Sequence, residues 1–391
     1  MNKTVLVVSA DLLFPNSSGG RVAILGQCRA LIDAGYTIEL VVFHRDELSE
    51  EGRRRHLELT PHTTFIKRRG FIGSLLRWPF LPYQTSSRII ERKLAQSIRS
   101  SHPPVVIMAH QEWTLPTAAR LAGRAGAPIV LCSQNDEFEY LGALIRNGSG
   151  LSRAYHVLEF ARLRLWIASA LRKVDVVTVL SAGDRGFYEA RGLETVLVRP
   201  VLTGSRPFPP HAVAPAGSKI IFVGSLDLTH TVAGLLWFTR SVLPLLRRAD
   251  PKVTFHVAGR RATDRLRTEL DGTEGVVFHG EIADLDPLYE GARVFVNPVF
   301  DGSGINMKMG TPSELGLPIV STSVGVRGLG DIADATLHSD DAQSFSEHCL
   351  HLINDDDDWL RRSALLQRGI VHFSQEQIGH ELEKVIQHVS Q

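Results

Sequence analysis

Short, continuously apolar runs alternate with longer segments of helical period along most of this chain. Thr4–Ser9, Thr37–Phe43, Val105–Met108, Ile129–Cys132 and Val174–Leu180 are mostly β-branched and apolar, as strands covered on both faces are. Val22–Ala34, Arg88–Ser100 and Tyr155–Arg172 lie between them and have helix length. Such alternation predicts a parallel, doubly wound sheet. A second series of strands follows at Lys219–Val223, Lys252–Val257, Gly275–Phe278, Ala292–Val296 and Ile319–Ser321, with Val232–Arg248 as its clearest helix.

The pattern weakens between the two series. Arg199–Lys219 holds five prolines and little periodicity, which predicts an interdomain linker. The expected organisation is a first α/β domain over 1–202, a linker over 203–218 and a second α/β domain over 219–373. An amphipathic helix, Ser374–Val389, closes the chain, and 374–391 is expected to pack back on the first domain. Two open parallel sheets joined in this way bind ligands at the carboxyl ends of their strands, with both edges expected around one cleft.

The 391 residues suffice for two or three domains with their own cores. Net charge is +1, but it is unevenly spread. Residues 1–205 carry 26 Lys and Arg against 18 Asp and Glu, and residues 206–391 carry 17 against 24. The first half therefore suits an anionic partner. The near-neutral total and the absence of a known binding module argue against nucleic acid. The apolar run near Met1 is too short for a secretory core, and no stretch approaches a spanning helix, so a cytoplasmic location is expected. Cys28, Cys132 and Cys349 lack paired spacing, which indicates neither a disulfide framework nor a zinc site.

The stretch from Asn297 to Gly328 carries the strongest chemical signal. It leaves an apolar strand, passes through Gly302-Ser303-Gly304, reaches Lys308, and enters a short helix and a second strand, Pro318–Ser321. A glycine loop at the carboxyl edge of a parallel sheet leaves backbone N–H groups free to hold an anion, with Lys308 close by. Thr311-Pro312-Ser313-Glu314 reads as a capping box beginning the helix at Thr311, with Glu314 reaching back. At the amino end, Gly19-Gly20 opens a helix after the first strand and lets a ligand approach the backbone. Ser181 to Asp184 reads as another helix start, Ser181 being the cap.

Gly302-Ser303-Gly304, Lys308, Gly316, Pro318 and Val320-Ser321-Thr322 stand in register with the donor signature of the retaining GT-B glycosyltransferases of family 4, which the chain resembles. Two family glutamates, eight residues apart, fall on Ser303 and Thr311. The resemblance implies two Rossmann-like domains and transfer of a sugar from a UDP- or GDP-linked donor to a glycan, lipid-linked or small-molecule acceptor. The nucleotide sugar is then a co-substrate, and neither cofactor nor metal is implied. Lys308 would stabilise the leaving diphosphate and His110 would lie by the transferred sugar. Gly19, Gly20, Gly224, Ser225, Gly302, Ser303, Gly304, Ile305 and Asn306 would frame the diphosphate and sugar. Arg260, Glu281, Ile282, Thr311 and Glu314 would lie at the base and ribose, Glu314 being alternatively only a cap. Asn135 and Glu137 would meet the acceptor. Loss of both glutamates leaves a rival reading, a non-catalytic GT-B partner of another transferase.

Residues 67–93 contain seven basic side chains and one acid among aromatics, including Trp78 and Phe80. The stretch fits either an anionic membrane surface, peripheral to its inner face, or a solvated basic face.

Overall fold

The computed structural model describes residues 3–16, 18–45, 47–68, 85, 103–134, 137–203, 211–302 and 304–390. The basic stretch 67–93 and the helix expected over Arg88–Ser100 lie almost wholly outside them. Two compact units are present, one formed by Met1–Val201 with Gln375–Gln391 and the other by Leu202–Ser374.

In the first unit seven parallel strands, β1 (Thr4–Ser9), β2 (Thr37–His44), β3 (Thr63–Lys67), β4 (Val106–His110), β5 (Ile129–Cys132), β6 (Val176–Val179) and β7 (Thr195–Leu197), lie in the order β3-β2-β1-β4-β5-β6-β7. The central strand β1 is buried along its whole length, with Val5 registered against Ile38 and Val106. That burial explains its unbroken apolar sequence. Alternate residues of the strands feed two cores. One holds Val5, Val7, the helix Gly19–Asp33 and the terminal helix Gln375–Val389; the other holds Leu6, Val8 and the helices Leu115–Ala125 and Gly150–Leu171. The terminal helix buries Ile378, Leu382, Val385 and Ile386.

Three elements of this unit carry weak sequence signals. The helix Glu50–Leu59 buries only Gly52 and His56 and is laced by Glu51–Arg54 and Glu51–Arg55 ion pairs, so it shows no apolar stripe. His56 anchors it, its Nε2 accepting from the Leu13 N–H at 3.0 Å. The strands β3 and β7 are short edge strands with partly exposed residues.

The second unit has six parallel strands, β8 (Lys219–Val223), β9 (Thr254–Ala258), β10 (Val276–Gly280), β11 (Val294–Asn297), β12 (Ile319–Ser321) and β13 (Leu337–His338), in the order β10-β9-β8-β11-β12-β13. The single helix expected over Val232–Arg248 is three pieces: Thr229–Trp237, a π-helical turn Phe238–Val242, and Leu243–Ala249. Pro244 has no N–H to continue an i to i−4 ladder, and the wider turn absorbs the gap. Arg293, 2% exposed, braces the far end of the unit. It donates to the Leu352 and Pro215 carbonyls and pairs with Asp356, and its own carbonyl accepts from Trp359 Nε1 at 2.8 Å.

Candidate functional site

The glycine loop after β11 is held by a small buried polar network. Asn297 Nδ2 donates to Ser321 Oγ at 3.2 Å, Ser321 Oγ donates to the Asn297 carbonyl at 3.0 Å, and Thr322 Oγ1 donates to the Val299 carbonyl. Ser321 and Thr322 thus tie the loops after β11 and β12 together. Gly302 and Gly304 then take φ values of 141° and 90°, a region in which other side chains are strained. Ser303 itself lies outside the described residues.

Lys308 lies in a 3-10 turn, Met307–Met309, that follows this loop. Its stem is partly exposed, but Nζ is buried, has no hydrogen-bond partner among the described residues, and sits 5.1 Å from the centroid of the Phe222 ring. Burial pulls its pKa down to about 8, because a desolvated ammonium over an aromatic ring is poorly compensated. The loop after β8 runs alongside: a Cβ added to Gly224 would lie 3.9 Å from Lys308 Cε and 2.9 Å from the Phe222 ring. His230, in the first turn of Thr229–Trp237, is half-buried within electrostatic range of Lys308 and Asp301. Burial, and then Lys308, hold its pKa down.

On the other side of Gly224 a groove of about 290 Å³ is lined by Gly224, Ser225, Arg260, Glu281 and Ile282 together with Val223, Gly259 and Leu285. Five residues named from the sequence therefore converge on one groove. The backbones approach closely there, since a Cβ on Gly259 would fall 1.9 Å from the Gly224 carbonyl oxygen. Arg261 was missed. It adopts φ 61°, pairs with Asp227 at 3.1 Å and points Nη2 at Ser225 Oγ, 3.4 Å away. Its sequence signal is Gly259-Arg260-Arg261, two adjacent arginines just beyond a strand end.

The capping box at Thr311 does not form. The 3-10 turn runs directly into a helix that starts at Gly310, its N-cap Met309 makes no side-chain cap bond, and Thr311 is exposed. Glu314 accepts from Thr203 Oγ1 at 2.6 Å instead of reaching back. A turn that already carries helical backbone angles leaves no orphan N–H for Glu314 to cap.

In the first unit Gly19 and Gly20 open their helix, with Ser18 Oγ accepting from the Arg21 N–H at 3.5 Å. The Arg21 guanidinium grips Asp11 Oδ2 through Nε at 3.0 Å and Nη2 at 2.7 Å, so its charge is already compensated. His110 ends β4 and is 1% exposed. Its Nδ1 lies 3.2 Å from Gln134 Nε2, its Nε2 has no partner among the described residues, and burial drives its pKa down to about 3. It is a neutral imidazole throughout the physiological range. Asn135 lies outside the described residues, and Glu137 is the first residue of the helix Glu137–Asn147. Ser181 precedes a 3-10 turn as expected but donates to Asp184 Oδ2 at 2.9 Å rather than capping a backbone N–H. Among the described residues no group of three His, Cys, Asp or Glu is placed to hold a metal ion, and no helix is long and apolar enough to cross a membrane.

Comparison with known proteins accounts for both units. Residues 18–204 match the family described as glycosyl transferase 4-like domain, and residues 217–355 the family described as glycosyl transferases group 1. An uncharacterized 44.6 kDa protein in the cps region of Klebsiella pneumoniae is 23% identical over 361 residues, 89% of this chain and 90% of that one. Among solved structures, Alr3699/HepE of Anabaena in complex with UDP and glucose is similar at TM-score 0.66 and 13% identity, over 99% of this chain and 100% of that one. Sucrose-phosphate synthase of Thermosynechococcus elongatus gives 0.66 at 16% identity, over 99% and 98%. These structures share the two-domain GT-B fold. With one family match on each unit and that fold across nearly the whole length, the chain belongs to the group 1, family 4-type glycosyltransferases.

Proposed function

We propose that the chain is a retaining glycosyltransferase that moves a sugar from a nucleoside-diphosphate donor to an acceptor hydroxyl without a bound metal. The observation that carries this reading is the Lys308 ammonium: buried, unpartnered, and set beside a positive-φ glycine loop. An uncompensated buried cation is costly unless an anion arrives, and a departing diphosphate is such an anion. Support for the nucleotide comes from the Anabaena protein, whose structures include complexes with UDP and with UDP-glucose. The Gly224–Ile282 groove is the natural berth for the base and ribose, with Arg260 and Arg261 at its rim.

In the reaction the bond between the anomeric carbon and the diphosphate oxygen breaks. The acceptor oxygen bonds to the same face of that carbon, and its proton passes to the leaving phosphate. Lys308 stabilises the growing negative charge. His110, neutral with a free Nε2, is assigned a hydrogen bond to a substrate hydroxyl, not proton transfer. Asn135 and Glu137 are assigned to the acceptor.

Calorimetry with UDP, GDP and their sugars tests the reading. Saturable binding that Lys308→Ala weakens, together with transfer to an acceptor pool, is expected. Binding without hydrolysis or transfer to any acceptor would instead favour a non-catalytic partner, the reading motivated by Ser303 and Thr311 in place of the glutamates. No binding to any donor would sink both.

A further inference from the structure

The helix Gly150–Leu171 turns Glu159, Leu163, Ile167 and Leu171 inward. Its opposite face is also apolar. Leu151, Ala154, Leu158, Ala161, Leu165 and Ala168 are all exposed and follow one another in steps of three and four, the spacing of a coiled-coil seam. Leu151 is 91% exposed and Leu165 69%.

We propose that this stripe is a homodimer interface, in which the helix lies antiparallel to its copy from a second chain. A two-fold axis midway along the stripe sets Leu151 opposite the partner's Ala168, Ala154 opposite the partner's Leu165, and Leu158 opposite the partner's Ala161. Every leucine then enters the notch above an alanine, and the surface complements itself as an isologous contact must. A parallel pair would stack leucine on leucine and leave the alanine layers empty. The flanking charges agree with the antiparallel register. Arg162 comes opposite the partner's Tyr155 and Arg164 opposite the partner's Val157, so no arginine meets another. A lipid surface is a poorer occupant, because half the seam is alanine and offers little area to bury. A single helix pair stands at the small end of specific interfaces, so the dimer is expected to be reversible.

Sedimentation velocity of the full chain over a concentration series tests the proposal, with circular dichroism checking that each variant folds. The wild type should shift from monomer to dimer with concentration, and Leu158→Glu should remain monomeric. Ala161→Leu fills a notch and should weaken association by about tenfold or more. The swap Leu158→Ala with Ala161→Leu restores large against small and should recover the dimer. A wild type that stays monomeric at the highest concentration, a dimer that survives Leu158→Glu, or a dimer tightened by Ala161→Leu would each overturn the proposal. So would a monomer whose sedimentation with anionic vesicles rises in Ala161→Leu, which would assign the stripe to lipid.

Discussion

The ammonium of Lys308 pays twice for its position, once in desolvation and once in lacking a hydrogen-bond partner among the described residues. Replacing it with methionine should therefore raise stability by about 1–3 kcal/mol in urea titrations while weakening donor binding. Lys308→Ala should keep the fold by circular dichroism and lower turnover by about a hundredfold or more. Because its pKa is pulled down to about 8, the charged form is lost early as pH rises. Nucleotide affinity should hold at neutral pH and fall through pH 8 in calorimetry, and the bound anion should move that midpoint upward. Burial shifts His110 in the same direction, and there the consequence falls on stability. Its folded pKa of about 3 lies below its unfolded value, so the stability it contributes is complete above about pH 6.5 and is lost as pH falls toward 3. His110→Gln should flatten the acid limb of thermal stability relative to wild type, by at most about 1.4 kcal/mol per pH unit. A wild-type rate profile that titrates with a His110 pKa near neutrality would contradict its burial.

At the scale of elements, the loops are positioned by close backbone approaches that only small residues allow. The helix Thr229–Trp237 rests on the segment after β11 at Gly234, where an added Cβ would lie 1.7 Å from the Pro298 carbonyl oxygen, and Trp237 then meets Phe300 with ring centroids 4.7 Å apart. Gly234→Ala should thus cost about 1–3 kcal/mol of stability and disturb the Lys308 loop. Gly186→Ala, in a helix where nothing lies within 4 Å of the new Cβ, should be neutral or stabilising by about 0.5–1 kcal/mol. Paired urea melts of the two variants make the comparison. Elements with strong periodicity or continuous apolarity, such as β1, β5 and β8, were legible to the residue. The helix Glu50–Leu59 was not, since its place is set by His56 and by surface ion pairs rather than by a stripe.

At the scale of the whole molecule, the last helix belongs to the first unit's core although it follows the entire second unit in sequence. It meets the helix Gly19–Asp33 at Gly379, where an added Cβ would approach the Ala30 carbonyl oxygen to 3.0 Å. Ile378→Ala should cost the first unit about 2–4 kcal/mol and split the thermal unfolding of the chain, the first unit melting earlier by calorimetry. The sequence by itself determined the alternation of strand and helix, the two α/β units and the glycine–lysine signature, because period, propensity and spacing are local properties of the chain. Only the tertiary structure decided which polar groups are compensated. Arg21 is paired with Asp11 and Glu314 with Thr203, while the Lys308 ammonium has no hydrogen-bond partner among the described residues. Pairing depends on which loops a sheet brings together, and that information is not local.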